Sequence, residues 1–516
     1  MSYPSQFLFF STGFIVVLFI RQHYFLANKI NVTNTITPPH TLNNGLLLLH
    51  HNASTTADYK TALTKSILFF EAQRSGRLPR NQRMKWRANS ALRDGMDAKV
   101  NLVGGYHDAG DNVKFGFPMA YTITMLAWGV VEFHPYLRKA NELENAYQAI
   151  KWGANYLIKA HPSPNVLYAA VGDGMSDHEC WQRPEDMTTP RTAYKIDHKH
   201  PGADIAGETA AAFAASSIAF KYSDPSYSNI LLKHAKQLFD FARHNPGVYS
   251  DSIPAARHFY PSSGYQDELL WAAAWLYRVT NNKIYADFIA KTTYLGGTRS
   301  MFSWDDKFVG FQVLIAREVL SGGLLAQNLD FKRYIDSAEE FICNCVGIGN
   351  NNVMKTKGGL LWFTGFGNLQ YVNSASFVIS AYADYIAAAK LNLVCSGGTL
   401  APPQLIKFAQ SQMDYILGLN PKGMSYMVGY GSNYPKKVHH RAASIVSIKK
   451  YKKFVTCEEG FSWMNRSEPN PNVVEGAVVG GPDQDDNHED SRDNYQQNEP
   501  ATATNAPIVG VLARLI

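Results

Sequence analysis

The sequence predicts an all-α fold in which twelve helices pair as six hairpins and close into a ring, six inside and six outside. Three observations carry this expectation. Apolar residues recur at helix spacing in segment after segment from Asp58 onward. Several of these segments are apolar nearly all round, which demands burial on more than one side. Convincing strands are few, and no fixed-period repeat of the kind that marks an open solenoid is visible.

The helices fall at residues 58–74, 120–132, 141–161, 206–220, 226–245, 267–280, 283–294, 307–319, 330–346, 375–390, 403–417 and 506–516. In 330–346 the set Phe331, Tyr334, Ile335, Ala338, Phe341, Ile342 and Cys345 follows the i, i+3, i+4, i+7 rule of one buried face. The segment 206–220 is an alanine run, whose small side chains let neighbouring helices approach closely. Trp271 and Trp275 sit on an apolar helix and read as core.

The chain has 516 residues, 46% hydrophobic and 18% charged, with a formal charge of +6, so it has ample core material and no disordered bias. No run of five or more Lys and Arg occurs, which argues against a nucleic-acid partner; Lys449, Lys450, Lys452 and Lys453 read as a solvated face. Five cysteines (Cys180, Cys343, Cys345, Cys395, Cys457) leave at least one unpaired and read as packing residues or at most two bridges.

Phe7 to Ile20 is an uncharged apolar run, too short for a comfortable membrane span of roughly twenty residues. Residues 1–27 therefore read as a signal peptide with cleavage near Ala27, and a membrane anchor is the reading if cleavage fails. Asn31, Asn52 and Asn465 begin N-x-Ser/Thr sequons, which suits a secreted, extracellular or wall-located protein. Residues 28–56 read as a linker or tail, and 57–516 as one folded domain.

Long inter-helix stretches at 75–118, 161–202 and 420–507, rich in Gly, Pro, Asp, Asn and aromatics, are where function is expected. In Tyr106-His107-Asp108-Ala109-Gly110-Asp111, two carboxylates three apart on a turn can converge on one water, with Gly110 expected to adopt a conformation denied to other residues. The competing reading is a pair of turn-forming Asx residues. Glu499 enters the last apolar helix, where partial burial would raise its pKa and keep a proton available; helix-entry capping is the alternative. His439 and Arg441 share one side of an extended loop, suited to sugar hydroxyls and a carboxylate, while His439-His440 lacks the partners of a metal site. Loop aromatics such as Trp86, Tyr106, Phe115, Trp181, Trp304, Phe366, Tyr371 and Tyr426 suit stacking on pyranose rings.

These stretches carry ordered motifs: T-K-S-I-L-F-F-E-A-Q-R-S-G at 64–76, G-G-Y-H-D-A-G-D at 104–111, H-E-C-W-Q-R-P-E-D-M at 178–187 and S-G-Y-Q-D-E-L-L-W at 263–271. N-L-Q-Y-V at 368–372, S-Y-M-V-G-Y-G-S-N-Y-P-K-K-V-H-H-R at 425–441 and Y-Q-Q-N-E-P-A-T at 495–502 complete the set. Together they resemble a family-9 glycoside hydrolase of the secreted plant endo-β-1,4-glucanase (cellulase) type. The resemblance implies an (α/α)6 barrel and inverting hydrolysis, with Asp111 as general base, Asp108 helping to hold the water, Glu499 as general acid and Asp490 accompanying it. It further implies that His439 and Arg441 contact the substrate around the cleavage point and that Trp181 stacks on sugar; Tyr106, Trp304 and Tyr495 are also assigned to substrate. No cofactor is required. Some relatives hold a structural calcium, and here Ser263, Gly264, Asp267, Glu268 and Asp305 match, although a helix N-terminus would also favour acidic residues.

Three departures stand out: Asn89 where Asp is expected in W-R-G-D-S, His488 where an aromatic is usual, and Ala503 where a Tyr is usual. They leave open a catalytically weakened polysaccharide-binding homologue. Because the chain ends within the last helix, no carbohydrate-binding module is expected to follow, which favours amorphous or soluble glucans. A monomer is expected.

Overall fold

The computed structural model describes residues 57–292, 296–323, 325 and 331–516. The expected signal peptide, its cleavage near Ala27, the tail to residue 56 and the sequons at Asn31 and Asn52 lie outside them. Among the described residues are twelve helices of nine residues or more. They are α1 (Tyr59–Gln73), α2 (Gly116–Ala140), α3 (Leu143–Ala160), α4 (Ala203–Phe220), α5 (Pro225–His244) and α6 (Gln266–Thr280), followed by α7 (Lys283–Lys291), α8 (Phe308–Leu320), α9 (Lys332–Val346), α10 (Asn368–Ala388), α11 (Pro402–Ile416) and α12 (Thr502–Arg514). Each overlaps one expected segment.

The contacts close a ring. Helix α2 packs on α4, α4 on α6, α6 on α8, α8 on α10, α10 on α12, and α12 returns to α2. Each inner helix takes one outer neighbour: α3 lies against α2, α5 against α4, α7 against α6, α9 against α8, α11 against α10 and α1 against α12. This is the (α/α)6 barrel. The inner helices are the ones apolar on every side: all of α4 except Ile218 is buried, whereas α5, with its polar outer stripe, buries only eight of twenty residues. Close approach needs small residues where α2 meets α12, since a Cβ on Gly129 would lie 3.3 Å from the Cα of Gly510.

Local sequence explains several boundaries. Helix α2 runs past the expected end at Glu132 by kinking at Phe133, two residues before Pro135, whose ring cannot join the helical ladder. Asn141 in the left-handed region then ends it. A three-stranded antiparallel sheet was not expected: β1 (Lys114–Phe115), β2 (Leu167–Val171) and β3 (Ala193–Ile196), with Lys114 opposite Val171 and Leu167 opposite Ile196. It fastens the loop entering α2 to the long α3–α4 connection. A hairpin, β4 (Leu393–Cys395) and β5 (Gly398–Leu400), lies before α11.

Of two disulfides, Cys180–Cys457 joins two loops and Cys343–Cys395 ties α9 to β4, while buried Cys345 is unpaired. No helix among the described residues is long and apolar enough to cross a membrane.

Candidate active site

The loop between α1 and α2 reaches the mouth of the ring because its backbone is bonded on both flanks. His107 N donates to Gln73 O at 2.9 Å, and the Gln73 side chain donates to Ala109 O at 2.7 Å. The His107 ring is buried between Asn112 O and Ser90 Oγ, and burial holds its pKa well below the ordinary imidazole value. Thr502 N, at the start of α12, donates to Asp108 O at 2.9 Å. Ring closure thus brings the two ends of the domain together.

Glu499 follows the short helix Tyr495–Asn498 in extended conformation. It does not cap α12, whose N-cap is Ala501 without a side-chain bond. Its Oε1 instead accepts from Gly110 N at 3.0 Å. Gly110 is the hinge of the site for a reason other than the expected one. Its φ lies outside the left-handed region; what excludes a side chain is that a Cβ would fall 2.2 Å from His439 O and 3.0 Å from Glu499 Oε1.

Asp108, Asp111 and Glu499 line one cleft of about 730 Å³. All three carboxyls are pushed above the ordinary carboxylate range, chiefly by burial. Asp108 is raised further by Asp111, although the Tyr260 hydroxyl, which donates to its Oδ2, opposes the shift. Asp111 is pushed up to about 7, burial being followed by Asp177, with His178 and Arg441 opposing. The N–H of Gly110 and the charges of His178 and Arg441 restrain the rise at Glu499. With Asp108 and Asp111 buried, Glu499 half-buried and all three raised, the cleft can hold one proton for donation and one carboxylate for acceptance. The oxygens of Asp111 and Asp177 and a ring nitrogen of His178 lie within 4.8 Å of one another.

Of the expected substrate contacts, His439, Tyr495 and Trp304 line the cleft. His439 Nδ1 donates to Arg492 O at 2.5 Å, which turns the other ring nitrogen away from that bond; burial lowers the ring's pKa to about 4, so it is neutral. Tyr495 pairs with Phe366, ring centroids 5.9 Å apart, and Trp304 with Tyr260 at 4.8 Å.

Four expectations need correction. Trp181 is buried, its Nε1 donating to Ser444 Oγ and its ring edge-on to His439, so it backs the cleft wall and offers no face for stacking. Tyr106 is wholly buried in the core, its hydroxyl bonded to Ala149 O. Arg441 is also buried: it donates to Cys180 O and Asp177 O, pairs with the Asp177 carboxylate at 3.3 Å and lies over the Trp181 ring. Its charge, rather than a sugar contact, reaches the site. Asp490 accepts from Lys436 N and Lys437 N at 2.7 and 2.8 Å and thereby fixes the loop leading to His439; Asp493 lines the cleft instead.

Removing the Arg441 charge removes a term that favours ionised Asp111 and Glu499. In Arg441→Met the acidic limb of the pH–rate profile is expected to move to higher pH, because the base must lose its proton against a raised pKa; the alkaline limb should follow. Arg441→Lys should restore most of the parental profile, and superimposable profiles for parent and Arg441→Met, in folded samples, would contradict this role.

Sequence reasoning missed His178, Phe259 and Tyr260 as cleft residues. The available signal was the aromatic triplet His258-Phe259-Tyr260 directly before the Ser263 motif, and the histidine beginning H-E-C-W. The three departures do not line the cleft. Asn89 Oδ1 accepts from Leu78 N, His488 packs edge-on against Tyr426 at 5.3 Å, and Ala503 is buried in α12. His440 is no metal ligand: its Nε2 meets Gln73 Oε1 at 2.8 Å and Nδ1 accepts from Ala443 N.

A second acidic region adjoins α6 and α8. Asp305 Oδ1 accepts from Ser263 N, and Asp267 Oδ2 from Lys307 N. Gly264 O is bonded by Ser262 Oγ. The buried Lys307 ammonium lies 3.2 Å from Glu268 and 3.5 Å from Glu208, while no hydrogen-bond donor reaches Glu268 Oε2. Burial and the neighbouring Asp267 raise Glu268 well above the ordinary value.

The chain is similar to known proteins. A family model described as Glycosyl hydrolase family 9 matches residues 59–512. Endoglucanase 14 of Arabidopsis thaliana is 60% identical over 457 residues, covering 88% of this chain and 93% of that protein. Endoglucanase 1 of Oryza sativa subsp. japonica is 55% identical, covering 89% and 73%. Among solved structures, an endoglucanase from the termite Nasutitermes takasagoensis superposes with a TM-score of 0.78 at 44% identity, covering 89% of this chain and 98% of that one. Endoglucanase CelQ from Clostridium thermocellum, solved with cellotriose, gives 0.72 at 31% identity, covering 89% and 70%. With its ring topology, its ordered motifs and a family match across nearly all the described residues, the chain belongs to glycosyl hydrolase family 9.

Proposed function

We propose that this protein cleaves internal β-1,4-glucosidic bonds of cellulose-like cell-wall glucans by single displacement. The observation that carries the reading is the junction at Gly110, which sets the Glu499 carboxyl against the loop bearing Asp108 and Asp111 on the floor of an aromatic-lined cleft. Glu499, whose pKa burial raises, donates a proton to the leaving glucosyl oxygen. Asp111 accepts the proton of a water attacking the opposite face, and Asp108, held by Tyr260, orients that water. His439 meets sugar hydroxyls, and the rings of Trp304, Tyr260, Tyr495 and Phe366 take the apolar faces of successive glucose units. A water between acid and base requires roughly 6.5–9.5 Å between their carboxyls and leads to inversion. Proton NMR of the first products should therefore show the α-anomer before mutarotation; an initial β-anomer would overturn the mechanism.

The departures at Asn89, His488 and Ala503 lie off the cleft, so the weakened, binding-only reading has no support at the reacting groups. Residues 57–516 act as the catalytic domain, as a monomer, outside the cell; two disulfides suit an oxidising, secreted setting. A structural calcium would take the hard oxygens around α6, and binding it there requires Asp267, Glu268 and Asp305 to converge and the Lys307 ammonium, 3.2 Å from Glu268, to withdraw. Chelation is expected to lower the thermal unfolding midpoint and added calcium to restore it; an unchanged midpoint would refute the site.

A further inference from the structure

We propose that the loop 447–454 is a binding platform for a carboxylate-bearing polysaccharide, separate from the cleft that takes neutral glucan. Lys449, Lys450, Lys452 and Lys453 are exposed, as is Lys85 beside them, whose carbonyl accepts from Lys449 Nζ at 2.6 Å. None of the five has a carboxylate within ion-pair distance among the described residues, although elsewhere on the surface Lys151, Lys195, Lys283 and Lys332 each pair with an aspartate. Four uncompensated charges within five residues stand against a net charge of +6 for the whole chain. The nearest carboxylates along the chain, Glu458 and Glu459, lie in the first turn of the helix that follows the loop.

The loop is also built to hold those charges still. Arg183 reaches from behind to donate to Val446 O and Lys453 O, both at 2.7 Å. Val455 N donates to Asp186, and Gln182 donates to Val455 O. Ser447 Oγ bonds Trp86 O, and the Cys180–Cys457 disulfide pins the far end. With the backbone fastened inward, Lys450, Lys452 and Lys453 stay exposed to solvent, while Lys449 is tied to the Lys85 carbonyl. Next to Lys453, Phe454 is 52% exposed, and half-buried Tyr451, between Lys450 and Lys452, packs on the cluster of Trp181, Ile445 and Val455. An exposed ring at the end of a run of ammonium groups suits a sugar face whose substituents carry charge.

A polyuronate fits better than a phosphate polymer. It offers carboxylates to the ammonium groups and pyranose faces to the exposed Phe454 ring, whereas a polyphosphate has no ring face and would leave Phe454 in water. Trp181, which backs His439 in the cleft wall, belongs to the same cluster, and the helix Cys457–Met464 leads from this loop to Met464 at the cleft. A chain held on the platform would thus keep the enzyme beside neutral glucan without entering the cleft. The inference borrows only the extracellular polysaccharide setting from the proposed function.

The test is retention of the full chain on immobilised polygalacturonate at low ionic strength. The parent should bind and be released by salt, and Lys450→Gln/Lys452→Gln/Lys453→Gln should bind at least tenfold more weakly while hydrolysing a neutral soluble glucan at the parental rate. A control with the same charge loss, Lys236→Gln/Lys407→Gln/Lys422→Gln, should keep most of the affinity. Failure of the parent to bind, equal weakening in the control, or tighter binding to duplex DNA or to anionic lipid vesicles would each overturn the proposal. Hydrolysis is read separately, so loss of the glucanase reading would leave the retention result interpretable.

Discussion

Glu499→Gln is expected to lose about 10²–10⁴-fold in kcat on a soluble cellulose derivative, the usual range for removing a positioned proton donor. The loss should shrink sharply on an aryl cellobioside with an acidic phenol, because such a leaving group departs without protonation. Asp111→Asn should be impaired on both substrates, since the attacking water needs its base whichever group leaves. The contrast follows from where the two carboxyls sit: both line the cleft, but Glu499 is anchored to Gly110 N–H, while Asp111 faces Asp177 and His178. Equal losses on the two substrates in Glu499→Gln would show that it is not the acid.

Gly110→Ala should be nearly as damaging, although it removes no functional group. The new methyl would start 2.2 Å from His439 O, so its own loop or the His439 loop must yield by about 1 Å, a displacement that in an active site can cost on the order of 10²-fold. Gly110 N donates to Glu499, and Gly110 O accepts from Arg441 N at 2.9 Å, so the shift disturbs acid, base and sugar contacts together. The variant should fold, because the fault lies in a loop above the barrel and its φ needs no glycine. Steady-state rates with circular dichroism check this; parental activity would mean that the junction tolerates movement.

The barrel was legible in the sequence because twelve buried helix faces leave twelve copies of one periodic signal. Boundaries were less so. Helix α10 starts at Asn368 rather than Ala375 because its first turns are polar yet buried, and α12 starts at Thr502 despite Pro507. The strand β2, Leu-Tyr-Ala-Ala-Val, is buried throughout, so it lacks the alternation that announces a half-exposed strand. Disulfide partners 277 residues apart leave no local trace.

At the site, the carboxyls were readable because the chemistry demands them in recognisable surroundings. The aromatics were not. Trp181 and Trp304 look alike in sequence, and only the fold makes one a wall and the other a lining. Gly110 was singled out correctly and for the wrong reason: close approach to a carbonyl 329 residues away cannot be seen along the chain.

The most direct test is the time course of viscosity and new reducing ends from a soluble cellulose derivative, with parent, Asp111→Asn and Glu499→Gln at equal folded content. Rapid loss of viscosity with few new ends in the parent, abolished in both variants, is the predicted result. A folded parent that leaves viscosity and reducing ends unchanged, or variants that match it, would contradict the assignment of acid, base and endo-cleavage to this cleft.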